Sequence, residues 1–203
     1  HFTPVGYRIL GQRYAAAMLP LLGRPAIEVA RSAVPEDAVE PAVPAAVEFF
    51  DLADVSLAPS RFRDAMQRDR DYLLGLDPDR FLHTFRLNVG LPSEAEPYGG
   101  WEAPGVELRG HSAGHYLSAC ALMYRASGDA AFLDRVQAMV AGFAACQAAS
   151  EAAGFHAGYL SAFPESFIDR VEKGEWVWAP WYTLHKIMDG LLDAHRLAGA
   201  AQA

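Results

Sequence analysis

The chain has 203 residues, of which 52% are hydrophobic and 21% charged, values typical of a soluble globular protein with room for a sizeable core. Its formal net charge of −8 at pH 7, without any Lys/Arg-rich run, argues against nucleic-acid binding. No stretch approaches the length of consecutive apolar residues that a membrane-spanning helix needs.

Residues 1–45 are interpreted as a lead-in and linker, and the folded domain is expected to occupy residues 46–203. Arg8 and Arg13 precede an apolar run, as in a secretory signal peptide, but charged residues interrupt the region that should lead to a cleavage site. A signal-peptide remnant and a disordered lead-in both fit this pattern. The first predicts a periplasmic or extracellular protein, and the second leaves a cytoplasmic one open.

The first helical pattern begins after Ser60, a candidate N-cap, and its apolar stripe runs from Phe62 to Leu73 until Pro78 ends it. Before it, residues 49–57 alternate weakly and predict a short strand or an extended arm. Residues 83–108 have little periodicity and many glycines and prolines, so we expect a long loop there. Long ordered loops in compact domains are usually functional.

Apolar residues cover nearly every face of the helix predicted over residues 110–127, which we therefore expect to be buried on every face. Asp129 is a candidate N-cap for the next helix, which extends to about residue 150 and has the single apolar stripe of an outer helix. A short helix is expected near residues 167–172. A second helix without a clean polar face is expected over residues 182–198.

An alternation of buried inner helices and amphipathic outer helices is what an α/α toroid requires. The pentapeptides YRASG (124–128) and HRLAG (195–199) close the two inner helices and form a faint internal repeat. Only a few residues follow the second inner helix. We therefore expect an all-α fold that is the N-terminal portion of a larger barrel.

The two cysteines, Cys120 and Cys146, stand in alanine-rich apolar segments without metal-ligand spacing. They are expected to be buried core residues.

All four tryptophans fall in two loops, Trp101 in YGGWE and the other three in EWVWAPWY, and each loop precedes a predicted inner helix. Aromatic planes beside polar groups are a usual means of holding a sugar, because the rings stack on it while its hydroxyls take directed hydrogen bonds. The alternative is that these tryptophans only close the end of the barrel.

His111, His115 and His185 lie in the first turns of the same two helices. An i,i+4 pair shares a helix face and could bind a metal, but Ser112 follows His111 where a zincin motif has Glu, and no acidic residue of that helix completes a set. Core histidines satisfied by neighbours are a second reading. Recognition of sugar hydroxyls is favoured, because a neutral imidazole offers one donor and one acceptor.

Five carboxylates are available for acid–base chemistry, and a conventional glycosidase needs two of them. No pair can be chosen from the sequence, so the catalytic residues stay unknown. Glu102, beside Trp101, is the most suggestive, although it could equally be an ion-pair partner within its loop. The five are Glu102, Glu107, Glu165, Glu172 and Glu175.

Five segments stand in order along the chain: LLGLDPDRFLHTFRLNVGLPS, EPYGGWE, LRGHSAGHYLSACALMY, GYLSAFPE and VWAPWYTLHKIMDGLLDAH. Together they resemble the β-L-arabinofuranosidase family of glycoside hydrolases, over about residues 50–195. The resemblance implies the N-terminal part of a catalytic domain with an (α/α)6 toroid. It implies a retaining hydrolase that removes β-linked L-arabinofuranose from plant-type glycans.

The resemblance also implies a cysteine nucleophile held by zinc, with further Cys and Glu ligands and a Glu as general acid/base. These motifs lie further along the family's chain than this sequence reaches, and neither Cys120 nor Cys146 matches them. Zinc is therefore expected in the full-length family and on none of the residues present. This chain is expected to carry the substrate-binding part.

For substrate binding, His185 in YTLHK matches a position where the family has a sugar-contacting histidine. His115 is a second expected contact and His111 a third, with Trp101 and Tyr182 on the rim of the pocket. The expected partner is a carbohydrate.

Two other functions stay open. One is a different α/α-toroid enzyme, such as an unsaturated-uronyl hydrolase or a lyase, which needs a cationic pocket. The loops 98–108 and 175–182 hold no Lys and only Arg109 at their edge, which disfavours it. The other is a non-catalytic helical sugar-binding or scaffold domain.

Overall fold

The computed structural model describes residues 50–203, and the predicted lead-in and linker at residues 1–45 lie outside the described residues. Within the described part, six α-helices form and no strand is present. They are α1 (Arg61–Gly75), α2 (Pro78–Asn88), α3 (His111–Ser127), α4 (Ala130–Ala149), α5 (Ser166–Glu172) and α6 (Pro180–Ala198).

Helix α1 begins as predicted, with the Ser60 hydroxyl accepting the Arg63 N–H at 3.4 Å. The prediction of a loop over residues 83–108 is wrong for its first part, because α2 extends to Asn88. Pro78 does end α1, but it also occupies the first turn of α2, where a missing N–H costs nothing. The short apolar stripe of α2, centred on Phe85, is buried in the core.

Residues 50–57 form no strand, because no second strand lies within the described chain to pair with them. A single 3-10 turn, Leu52–Asp54, takes its place. Asp51 holds this segment to the end of α3 through its carboxylate, which accepts the Arg125 Nε–H at 2.8 Å.

The α3–α4 hairpin follows the sequence closely. Gly128 ends α3 in a left-handed conformation (φ +68°), and the Asp129 carboxylate accepts the Ala131 N–H at 3.0 Å to begin α4. The predicted stripe of α4 is buried against the rest of the core. Its members are Phe132, Val136, Met139, Val140 and Phe143.

Helices α3 and α6 share the most extensive helix–helix contact of the described chain, and α4 covers α3 from outside. The expectation that α3 is buried on every face is wrong, because Leu122 is 42% exposed and His115 is exposed as well. The described helices enclose only part of its circumference. Cys120 and Cys146 are buried and free, as predicted.

The described chain is therefore all-α, as predicted, and has the inner and outer helices of a partial α/α toroid. None of its helices between residues 50 and 203 has the length and apolar character needed to cross a membrane.

Candidate functional site

Helices α3 and α6 both begin at one end of the molecule, and each follows a residue with a left-handed backbone. Gly110 has φ +99° before α3, and Ala179 has φ +51° before α6. Neither helix has a side-chain cap of its own at its first residue. The loops that lead into the two helices therefore determine how their first turns are presented.

Five rings from these loops and first turns form one group, the aromatic–histidine cluster: Trp101, His111, His115, Trp178 and Tyr182. His111 lies at its centre, with ring centroids 6.1 Å from Trp101, 6.0 Å from His115 and 5.9 Å from Tyr182. Trp101 meets Trp178 edge to face at 6.3 Å. Four of the five predicted substrate-binding residues thus lie together.

The cluster is open on one side. Trp101 is 63% exposed and Tyr182 42%, whereas His111 below them is only 6% exposed. Exposed aromatic rings around a buried imidazole offer stacking surfaces beside a hydrogen-bonding group, which is the arrangement that sugar recognition uses.

Glu102 lies beneath His111 and is itself buried. One carboxylate oxygen accepts the Gly110 N–H at 2.7 Å, and the other accepts the Ser112 N–H at 2.9 Å and lies 2.8 Å from His111 Nδ1. Burial alone would raise the pKa of Glu102, but the hydrogen bonds from His111, Ser112 and Gly110 together hold that pKa below its ordinary value. Glu102 is thus an ionised cap for α3.

His115, one turn further along α3, faces α6. Its Nε2 lies 3.2 Å from the Tyr182 hydroxyl. Burial, and then the positive charge of Lys186, lower the pKa of His115, so the neutral ring is favoured. A neutral His115 and a phenolic hydroxyl together offer both a donor and an acceptor to a sugar.

Glu107 joins the two tryptophan loops. Its carboxylate accepts the Trp178 N–H at 2.8 Å and contacts Arg170 Nη1 at 3.0 Å, and Arg170 Nη2 donates to the Trp176 carbonyl at 2.8 Å. This Glu107–Arg170 clamp holds the loop before α6 and so places Trp178 against Trp101.

The fifth predicted residue, His185, lies in the first part of α6 and is exposed. Among residues 50–203, its side chain makes no hydrogen bond, ion pair or ring contact with a member of the cluster. Its predicted sugar contact stays a prediction. Trp176 is 74% exposed and lies outside the cluster as well.

The remaining candidate carboxylates have structural partners or lie on the surface. Glu165 accepts the His156 N–H at 3.1 Å and contacts its ring nitrogen at 2.9 Å, while Glu172 is exposed. Glu175 contacts Arg170 at 3.5 Å.

The sequence analysis missed Arg170, Lys186 and the capping role of Glu102. For Glu102 a signal was present: α3 starts at a glycine with no Ser, Thr, Asp or Asn to cap it, so a side chain from elsewhere has to serve. Lys186 lies four residues after Tyr182, on the same face of α6, so helix periodicity was a signal for it. Arg170 has no such signal, because only packing brings it beside the cluster.

The family resemblance implies a zinc ion, which needs several His, Cys, Asp or Glu side chains close together. Among residues 50–203, no group of three or more His, Cys, Asp or Glu side chains lies close enough to hold a metal ion. The residues in this described part of the chain therefore do not fit a zinc site.

The paired inner helices and their outer partner define the described chain as part of an α/α toroid, and the comparison with protein families agrees with that fold. The family described as beta-L-arabinofuranosidase, GH127 catalytic domain, matches residues 54–203, a span that includes the whole cluster and Glu102. The chain belongs to this glycoside hydrolase family. A comparison with curated proteins finds no match.

Proposed function

We propose that the protein is a glycoside hydrolase that removes β-linked L-arabinofuranose from plant-type glycans, with residues 50–203 forming the substrate-binding part of its catalytic domain. The observation that carries the proposal is the aromatic–histidine cluster, an open site within the span that matches the family. A location outside the cytoplasm, where such glycans occur, belongs to the same proposal.

In this proposal Trp101 and Trp178 stack on the apolar side of the sugar. His115 and Tyr182 exchange hydrogen bonds with its hydroxyls, and His111 takes a further hydroxyl from below. These groups bind and orient the sugar, which is the contribution that positioning makes to a later chemical step.

The retaining step itself, with a cysteine nucleophile, is assigned to residues outside 50–203. Burial raises the pKa of Cys120 and of Cys146 to about 11 each, so neither thiol ionises readily at neutral pH. A buried, protonated thiol is a poor nucleophile.

Acidic sugars fit the cluster less well. Lys186 pairs with Asp189 at 3.5 Å, and Arg109 donates to the carbonyls of Ala162 and Val106 at 2.7 and 3.0 Å. Arg170 pairs with Glu107 and donates to the Trp176 carbonyl. All three of these cations are therefore already engaged, which counts against a uronyl hydrolase or lyase.

The test is a binding titration followed by tryptophan fluorescence and calorimetry, with methyl β-L-arabinofuranoside, methyl β-D-galactoside and an unsaturated uronic acid disaccharide as probes. Binding of the arabinofuranoside alone is expected. Trp101→Ala should weaken it roughly two- to tenfold, the worth of one aromatic contact. Trp176→Phe is the matched control outside the cluster and should bind as the wild type does.

Preference for the uronic acid would assign the protein to the other enzyme class, and binding of none of the probes by folded protein would favour a scaffold. Activity is measured separately, as hydrolysis of an aryl β-L-arabinofuranoside by the full-length protein with zinc. A folded, zinc-loaded protein without turnover would contradict the proposal.

A further inference from the structure

Two hydrogen-bond acceptors lie beside His111 Nδ1. This nitrogen lies 2.9 Å from the Leu108 carbonyl oxygen and 2.8 Å from the Glu102 carboxylate. A carbonyl oxygen and an ionised carboxylate accept hydrogen bonds and donate none. Nδ1 must therefore carry a hydrogen, whatever the charge of the ring.

The Leu108 carbonyl is itself tied to the neighbouring inner helix, because the buried Thr183 hydroxyl of α6 donates to it at 3.2 Å. The two acceptors around Nδ1 are therefore fixed by different parts of the fold, one by the loop carboxylate and one by the contact with α6. Both acceptors favour a hydrogen on Nδ1, and the carboxylate is the stronger of the two because it is charged.

Because Nδ1 is occupied by these two acceptors, Nε2 is the ring nitrogen of His111 that could bind a ligand. Its only protein neighbour within hydrogen-bonding range among residues 50–203 is the Ser112 hydroxyl, at 3.4 Å. That separation is long for a hydroxyl donor, so a sugar hydroxyl at an ordinary distance of about 2.8 Å would displace it.

We propose that Glu102 is a positioning residue: its carboxylate fixes His111 with the hydrogen on Nδ1, so that Nε2 is presented to the aromatic–histidine cluster as the acceptor for a substrate hydroxyl. The part that concerns the sugar rests on the proposed function. The part that concerns the imidazole does not.

A glutamine cannot replace Glu102 in this role. Three N–H groups, from Gly110, Ser112 and the His111 ring, converge on its two oxygens. Glutamine keeps one acceptor oxygen and puts an NH2 donor in place of the other. Either that NH2 meets the Gly110 N–H, or it meets the Ser112 N–H and favours a ring with a bare Nδ1.

The charged and titratable groups around the His111 ring come from all the elements packed against it. Glu102 approaches from the loop, His115 lies on the same helix, and Tyr182 lies on α6, while Lys186 of α6 acts on His115. The hydrogen bond to Glu102 raises the pKa of His111 above its ordinary value, against the effect of burial. Removing the Glu102 charge should therefore lower this pKa.

The experiment is 15N NMR of the protein labelled on its histidine rings, first without sugar. His111→Gln assigns the signals. The wild-type His111 ring should show a protonated Nδ1 and a bare Nε2 once it is neutral. Glu102→Gln should lower the pKa of the ring and raise the share of the tautomer with a bare Nδ1, although the Leu108 carbonyl still opposes that tautomer. Glu94→Gln, the same change at an exposed position outside the cluster, should leave the ring signals unchanged.

A wild-type ring with its hydrogen on Nε2, or a Glu102→Gln ring that keeps both its tautomer and its pKa, would overturn the proposal. The wild-type spectrum decides the first point even if the variant fails to fold. A merely structural cap would change stability without moving the tautomer.

The sugar is then added. Methyl β-L-arabinofuranoside should shift the wild-type Nε2 signal and bind at least about tenfold more weakly to Glu102→Gln, a loss of about 1.4 kcal/mol. Equal affinity of the two proteins, despite a changed tautomer, would overturn the positioning role. If no probe sugar binds the wild type, the proposed function fails, while the sugar-free spectra still decide what Glu102 does to His111.

Discussion

Gly114 of α3 and Gly190 of α6 lie backbone to backbone: a Cβ atom on Gly190 would be 2.5 Å from the Gly114 carbonyl oxygen, and one on Gly114 would be 2.0 Å from the Lys186 carbonyl oxygen. The inner helices can approach this closely only because neither residue has a side chain. Because His111 and His115 lie within one turn of Gly114 and Tyr182 lies in the first turn of α6, this contact also determines how closely the two sides of the cluster approach.

Gly114→Ala should lower the free energy of unfolding by about 1–3 kcal/mol or more, because the added methyl group overlaps backbone that cannot move aside easily. Urea unfolding monitored by circular dichroism measures this. Gly75→Ala is the matched control, since a Cβ at the end of α1 has nothing within 4 Å, and it should change the stability by no more than about 1 kcal/mol. Equal effects of the two changes would contradict the close contact.

The Glu102–His111 pair predicts a pH-dependent stability. The folded-state pKa of Glu102 is below its ordinary 4.5, so its contribution is present above pH 4.5 and is lost as the pH falls through the folded value. The folded-state pKa of His111 is above its ordinary 6.5, so its contribution is complete below pH 6.5 and is lost as the pH rises through the folded value.

The difference in unfolding free energy between wild type and Glu102→Gln should therefore be largest between about pH 4.5 and 6.5 and shrink on both sides. Urea unfolding at a series of pH values measures it. Glu94→Gln removes the same charge from an exposed position and should give a small, flat difference. A difference that stays constant from pH 4 to 9 would rule out the coupling of the pair.

Arg170→Met should affect the tryptophan loop more than the stability. The ion pair with Glu107 is partly exposed, so its loss should cost no more than about 1 kcal/mol. The methionine makes neither the ion pair with Glu107 nor the hydrogen bond to the Trp176 carbonyl. The loop before α6 is then held less firmly, and Trp178 should move relative to Trp101.

The expected result of Arg170→Met is a changed tryptophan emission spectrum and weaker binding of methyl β-L-arabinofuranoside, at nearly unchanged stability. Lys173→Met, an equal loss of charge on an exposed neighbour, is the control. If both variants have the wild-type spectrum, the clamp does not place Trp178.

Ala179→Gly should stabilise the protein by up to about 1 kcal/mol. Ala179 has a left-handed backbone (φ +51°), which costs an L-residue roughly 1–2 kcal/mol and costs glycine almost nothing. Glycine also gives the unfolded chain more conformational entropy, which favours unfolding, but this effect is smaller than the strain that is relieved. Ala145→Gly, in the exposed middle of α4, should instead destabilise by about 1 kcal/mol. Thermal unfolding compares the two, and a loss of stability in Ala179→Gly would show that the backbone there is not strained.

Local signals account for what the sequence analysis predicted well. The N-caps Ser60 and Asp129 and the end of α3 at Gly128 depend on neighbouring residues only, and each was confirmed. The error at α2 is local too: Pro78 was taken only as the stop of one helix, although it also suits the first turn of another.

The candidate site was predicted in part. His111, His115, Trp101 and Tyr182 were chosen because histidines and aromatics fall at the first turns of two apolar helices, and the structure brings these four together. His185 was chosen from the family resemblance, and its side chain contacts no member of the cluster among the described residues. For Glu102 the sequence left acid–base chemistry and an ion pair within the loop open, and the contact with His111 Nδ1 favours the second.

The sequence by itself determined the helical class, the helix ends at Gly128 and Asp129, and the family, because these depend on residue order and on short-range hydrogen bonds. Only the tertiary structure decided which side chains form the cluster, the tautomer that Glu102 imposes on His111, and the clamp between Glu107 and Arg170. Those contacts join residues far apart in the chain, and their distances follow from how closely α3 and α6 pack at Gly114 and Gly190.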